Sequence, residues 1–198
     1  MKTLLLVNAC VQRETSRTDR LCRTWLRENR RAGCDVEEVV LEEEQLRGLD
    51  TQMLAERNRL LRECELTHVM FRYARQFCDA DEIVIAAPYW DLSFPAALKC
   101  YLEAVSVVGL TFRYREDGAP EGLCRAKRLT YITTSGGFIG ANNFGYDYVK
   151  ALAALFGIAE IQMVSAEGLD IAGADVEHIL QQAEQRIRSC CVHNHAKE

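Results

Sequence analysis

Short apolar runs and stretches of helical periodicity take turns along this chain. Leu4-Leu5-Leu6-Val7, within Thr3 to Asn8, is an apolar run that ends in a polar loop, Cys10 to Thr18. Apolar residues then recur at helical spacing through Leu21, Trp25 and Leu26 and stop at Gly33. Asp35 to Leu41, with Val36, Val39 and Val40, predicts a second strand, and Glu42-Glu43-Glu44 a solvated connection. Gln52 to Phe77 predicts one long helical segment through Leu60, Leu61, Leu66, Val69, Met70 and Tyr73. Ile83-Val84-Ile85-Ala86-Ala87 is continuously apolar and stops at Pro88, as a central parallel strand covered on both faces would. Pro95 opens the next helix, through Leu98, Tyr101, Leu102 and Val105, and a loop holding Gly118 and Gly122 follows. Leu129 to Thr134 is the fourth strand and Ser135-Gly136-Gly137 closes it. A helix through Val149, Leu152 and Leu155 ends at Gly157, Ile158 to Ser165 makes a fifth strand, and Asp175 to Ser189 a closing helix.

Five alternations of strand and helix predict an α/β fold, a doubly wound parallel sheet with right-handed crossovers and helices on both faces. No Pro- or Gly-rich linker interrupts residues 1–198, so one domain is expected. The 198 residues are 48% hydrophobic and 27% charged, and suffice for a sizeable core. A net charge of −5 argues against a broad surface for nucleic acid while leaving room for a local anion site. No apolar run approaches the roughly 20 residues of a membrane span. The first residues read as a strand rather than a signal peptide, and a cytoplasmic chain is expected.

The nine cysteines are scattered and form no Cys-x-x-Cys pair, so they read as small hydrophobes in a reducing compartment rather than metal ligands or a disulfide framework. Cys190 and Cys191 lie beside His193 and His195; opportunistic metal binding and a frayed terminus are both open there.

In a doubly wound sheet, ligands bind beyond the carboxyl ends of the strands. Three loops of unusual composition lie at such ends. Asn8 to Thr18 has neither a dinucleotide fingerprint nor a phosphate-loop Gly-Lys-Ser/Thr. It offers Ser16, Thr18, Arg13, Arg17 and the amides of a helix N-terminus, which can hold one phosphate; helix capping by Thr15 or Ser16 is the alternative. Pro88 to Pro95 carries Tyr89, Trp90 and Phe94 between prolines, suited to walling a planar heteroaromatic ring or to packing a core or subunit interface. Gly136-Gly137, after Thr134-Ser135, lets backbone approach a ligand or makes an ordinary tight turn.

Ala86 to Tyr114 (Ala-Ala-Pro-Tyr-Trp-Asp-Leu-Ser-Phe-Pro-Ala-Ala-Leu-Lys, then Gly109-Leu110-Thr111-Phe112-Arg113-Tyr114) resembles the FMN-dependent NADH:quinone oxidoreductases, also called azoreductases. Gly118, Glu121-Gly122-Leu123, Gly136-Gly137 and Ala166-Glu167-Gly168 continue the likeness. The resemblance implies a flavodoxin-like fold of strand order 2-1-3-4-5, non-covalent FMN, NADH or NADPH as donor, and a homodimer. Quinones or azo compounds would be reduced in the same pocket after the nicotinamide has left. By position, Ser16, Arg17 and Thr18, with Cys10 nearby, match the phosphate loop. Pro88, Tyr89, Trp90, Asp91 and Leu92 match the segment along the isoalloxazine, and Thr134, Ser135, Gly136 and Gly137 the turn at its pyrimidine end. Tyr114 and Phe144 match substrate-pocket positions. The family usually carries Asn where this chain has Asp91 and Arg where it has Ser135, changes that would lower the flavin potential or shift acceptor preference on electrostatic grounds. No side-chain acid or base is required, since the cofactor carries the hydride chemistry. An electron-carrier flavodoxin and a flavin-free scaffold of the same fold remain the competing readings.

Overall fold

The structure is a computed structural model that describes residues 2–31 and 33–195. Its elements run β1 (Thr3–Asn8), α1 (Arg17–Arg31), β2 (Asp35–Val40), α2 (Thr51–Arg62), a single 3₁₀ turn at Val69–Phe71, α3 (Arg72–Asp79), β3 (Glu82–Ala86) and α4 (Ala96–Val105). Then follow β4 (Phe112–Tyr114), β5 (Pro120–Gly122), β6 (Arg128–Thr134), α5 (Phe144–Leu155), β7 (Glu160–Ala166) and α6 (Val176–His195). The main sheet has order β2-β1-β3-β6-β7, all parallel, which is the expected order 2-1-3-4-5 with two small strands outside it.

Side chains alternate across a strand, so each strand feeds two cores. Leu5 and Val7 of β1, with Ile83 and Ile85 of β3, pack under α3, α4 and α5, where Phe77, Tyr101 and Phe156 are fully buried. Leu4 and Leu6, with Val84 and Ala86, pack under α1 and α6, against Leu21, Trp25, Leu180 and Ile187. Burial on both faces explains why β1 and β3 read as continuous apolar runs.

The segment expected as one helix from Gln52 to Phe77 is interrupted. Asp50 caps α2, its carboxylate accepting from the Met53 amide at 2.8 Å, and α2 ends at Arg62. Cys64 then takes φ +57° and turns the chain away. His68 Nδ1 accepts from the Met70 amide at 3.3 Å and starts the 3₁₀ turn that leads into α3.

The loop expected around Gly118 and Gly122 contains the antiparallel hairpin β4–β5. It is anchored at the C-terminal end of α5, where Gly122 lies so close to Gly157 that a Cβ on Gly122 would be 2.0 Å from the Gly157 nitrogen. Gly157 itself has φ +83° and delays the last strand, which begins at Glu160 rather than Ile158. No helix among the described residues is long and apolar enough to cross a membrane.

Candidate functional site

Three strands of the sheet end at one cleft. Its volume is about 450 Å³, and its walls come from Val11 and Thr15–Thr18, from Pro88, Tyr89 and Trp90, and from Thr134, Ser135 and Gly136. Leu169 and Asp170, from the loop after β7, complete it. The volume lies within the roughly 300–1,000 Å³ of small-molecule sites. The three loops singled out in the sequence are thus brought together, and a fourth joins them.

The first loop is held from below by charge. Asn8 Nδ2 donates to Asp19 Oδ1 at 2.9 Å and to Glu38 Oε1 at 3.2 Å, while the Arg13 guanidinium reaches Asp19, Glu38 and Glu43 at 3.3–3.4 Å. Arg13 therefore serves the loop's shape. Ser16 Oγ accepts from the Asp19 amide at 3.2 Å, the capping role open in the sequence. The amides of Arg17 and Thr18 have no intramolecular partner among the described residues. They supply the free donors and positive dipole end that favour an anion. Thr18 is buried, its hydroxyl 2.6 Å from that of Thr134. Cys10 is fully buried beneath the loop rather than in the cleft wall, and burial pushes its thiol up to about 12.

Trp90 and Ser93 exchange backbone hydrogen bonds (3.2 and 2.7 Å) around a two-residue turn. Asp91 at φ +50° and Leu92 at φ +65° both occupy the left-handed region, the signature of a type I′ turn. Asp tolerates this conformation; Leu does not tolerate it without strain. Both residues are exposed at the turn tip, outside the cleft wall, and their amides have no partner among the described residues. The Leu92 carbonyl accepts from the Phe144 amide at 3.1 Å, docking the turn on the start of α5. Asn143 caps that helix, accepting from the Tyr146 amide at 3.0 Å.

The third loop is paired by backbone to the loop after β7. Gly168, Leu169 and Asp170 amides donate to the carbonyls of Gly137, Ser135 and Gly136 at 3.0, 3.2 and 2.9 Å. The Ser135 hydroxyl turns inward to the Gly137 carbonyl. The amides of Gly136 and Gly137 have no intramolecular partner among the described residues. Asp170 Oδ1 also accepts from Arg17 Nη1 at 2.6 Å, joining the phosphate-loop candidate to the far wall. Asp170 was not singled out in the sequence, although the rule that ligands gather at strand ends applies equally to the loop after the fifth strand.

Tyr114 and Phe144 are exposed and absent from the cleft wall. Phe144 opens α5, while the hairpin carrying Tyr114 is anchored at the other end of that helix. Twelve residues of α-helix, about 18 Å, separate the two ends. No disulfide joins the cysteines among the described residues; Cys190 is half-buried and Cys191 buried, and the side chains of His193 and His195 lie outside the described residues. No cluster of three metal-binding side chains occurs among the described residues.

The arrangement fits a planar ligand with one terminal anion: unpartnered amides at a helix N-terminus, with aromatic residues and a glycine-rich turn also lining the cleft. A family profile described as flavodoxin-like fold matches residues 1–190. An FMN-dependent NADH:quinone oxidoreductase of Lachnoclostridium phytofermentans is 34% identical over 94% of this chain and 96% of its own length. A protein of the same name from Clostridium beijerinckii is 43% identical over 59% of each chain, and FMN-dependent NADH:quinone oxidoreductase 2 of Clostridium acetobutylicum is 40% identical over 61% of this chain. These last two matches span only about 60% of the relatives' own lengths (59% and 62%, respectively). Among solved structures, an azoreductase from Bacillus anthracis superposes with a TM-score of 0.85 at 24% identity, covering 96% of this chain and 99% of that one. This last likeness is one of fold.

Proposed function

The chain belongs to the flavodoxin-like family and, within it, to the FMN-dependent NADH:quinone oxidoreductases, and from that membership we propose that it holds FMN in the cleft and passes reducing equivalents from NADH or NADPH to a quinone or azo compound. The observation that carries the reading is the convergence of three strand ends on one cleft, with unpartnered amides at the start of α1 and in the Gly136-Gly137 loop.

FMN, when bound, supplies the hydride-accepting and hydride-donating chemistry. The chain's own contribution is binding, orientation and electrostatics. Ser16 shapes the first turn of α1, and the amides of Arg17 and Thr18 with the Arg17 guanidinium receive the phosphate. Pro88, Tyr89 and Trp90 give a stiff wall for the ring, with the amides of Asp91 and Leu92 facing no internal competitor. Gly136 and Gly137 offer two amide donors where negative charge gathers on the reduced ring. The Asp91 side chain stands outside the cleft wall, so its replacement of the usual Asn leaves the cleft open, and Ser135 satisfies itself within its own loop. This weakens the flavin-free reading.

A homodimer completes the substrate pocket. Its support is the exposure of Trp90, Phe138 and Phe144 at the cleft end of the sheet and of Tyr114 on the hairpin, a set of aromatics that a second copy would cover. Cysteines that form no disulfide among the described residues support a reducing, cytoplasmic setting.

The test is an absorbance spectrum after incubation with FMN and desalting, then anaerobic NADH, then menadione. Retained flavin bands that bleach and return establish the reductase. Bands that persist unbleached favour an electron carrier, and no retained flavin overturns the reading.

A further inference from the structure

We infer that Asp170 is a latch that sets how tightly this chain holds the phosphate end of its flavin, by engaging Arg17 in competition with that phosphate. The inference rests on the FMN reading above and goes beyond it, to a residue outside the three loops that the family resemblance points to.

The geometry is specific. Arg17 is the first residue of α1, next to the two unpartnered amides, and its Nη1 lies 2.6 Å from Asp170 Oδ1. Asp170 is not a drifting surface acid. Its amide is bonded to the Gly136 carbonyl, and the two residues before it are bonded to Ser135 and Gly137. Its side chain lies flat against Gly136, with Oδ2 only 2.2 Å from where a Cβ on that glycine would be. The backbone of Asp170 is therefore fixed on a wall of the cleft that α1 opens into, and its exposed carboxylate is held there by Arg17.

Two effects then act against a phosphate. Arg17 must exchange one anionic partner for another, so the cation adds less to binding than an unengaged guanidinium would. The carboxylate also repels a dianion at close range. Both groups are partly solvated (40% and 69% exposed), so screening keeps the effect modest, about three- to tenfold in affinity. The consequence is a cofactor that exchanges more readily than the amide-lined site would otherwise allow.

The experiment uses the full chain stripped of flavin, with binding followed by quenching of flavin fluorescence. FMN and riboflavin are titrated into the wild type, Asp170→Asn, Arg17→Gln and the double variant, with circular dichroism confirming the fold. Asp170→Asn preserves shape against Gly136 and is expected to tighten FMN three- to tenfold while leaving riboflavin, which lacks the phosphate, unchanged. In the Arg17→Gln background the part of that gain that comes from freeing Arg17 is expected to disappear, leaving a smaller gain from relieved repulsion alone. An unchanged FMN affinity in Asp170→Asn, an equal shift for riboflavin, or a gain undiminished without Arg17 overturns the latch while the cofactor reading stands. A wild type that binds neither flavin overturns the cofactor reading itself, and the latch with it.

Discussion

The hydroxyls of Thr18 and Thr134 lie 2.6 Å apart in a buried position, joining the first turn of α1 to the last residue of β6 across 116 positions of sequence. Through this bond two of the three cleft loops share one fixed spacing. A buried hydroxyl left alone costs about 1–3 kcal/mol, whereas removing both partners costs less. Thr18→Val and Thr134→Val are each expected to destabilise the chain by about 1–2 kcal/mol, with the double variant less unstable than the sum. Urea unfolding of the four proteins measures the coupling, and strict additivity would show that the hydroxyls do not interact.

Leu92 sits at φ +65° with its side chain half out in water. A left-handed Leu carries strain of about 1–2 kcal/mol, while Asn accepts the conformation through its short polar side chain. Leu92→Asn is expected to raise the melting temperature by about 2–4 °C. A lower Tm would mean that the exposed leucine makes packing contacts worth more than the strain.

Gly122→Ala brings backbone against backbone. The new Cβ would stand 2.0 Å from the Gly157 nitrogen and 2.1 Å from the Phe156 carbonyl carbon, neither of which can swing aside as a side chain can. A loss of about 3 kcal/mol is expected, with hydrogen exchange fastest in β4–β5. Wild-type stability in this variant would contradict the tight crossing.

Arg20 grips Glu177 with two bonds of 2.6 and 2.7 Å and Glu184 with one of 2.8 Å, tying α1 to α6. Its hydrogen bonds, first among the causes, pull the Glu177 carboxyl down to about 2 from an ordinary 4.5. A carboxyl depressed in the folded state stabilises above its unfolded value and loses that contribution as pH falls towards the folded one. Glu177→Gln is therefore expected to be less stable than wild type at pH 6, and the gap should narrow between pH 4.5 and 2. A gap independent of pH would assign the difference to packing.

The parallel sheet was legible because β1 and β3 are buried on both faces and so carry uninterrupted apolar runs, Leu4 to Val7 and Ile83 to Ala87, whereas the strand order came from the family resemblance alone. The cleft was legible because strand ends and unusual loops coincided at Ser16, Trp90 and Gly136. The break in the segment from Gln52 to Phe77 was not, because the residue that turns the chain is Cys64 rather than a glycine or proline, and Leu66, Val69 and Met70 keep a helical spacing across the gap. The hairpin escaped because three-residue strands carry too little alternation to register. Asp170 escaped for a different reason: its role comes from packing on Gly136 and from a partner 153 positions away, neither of which leaves a local pattern.

β1 is an interior strand of the sheet, bonded on one side to the edge strand β2 and on the other to β3, whose pairing starts at Glu82. Residues 4–7 therefore leave the ribosome long before the strand that will cover their second edge exists. At about 5–20 residues per second, that edge stays open for roughly 4–16 s. Leu4-Leu5-Leu6-Val7 is uncharged and strongly β-forming, the kind of segment that pairs with copies of itself when left uncovered. The acidic β2 side, Glu37 and Glu38 opposite Leu5 and Leu6, reaches it first and places charge beside the most adhesive stretch of the nascent chain.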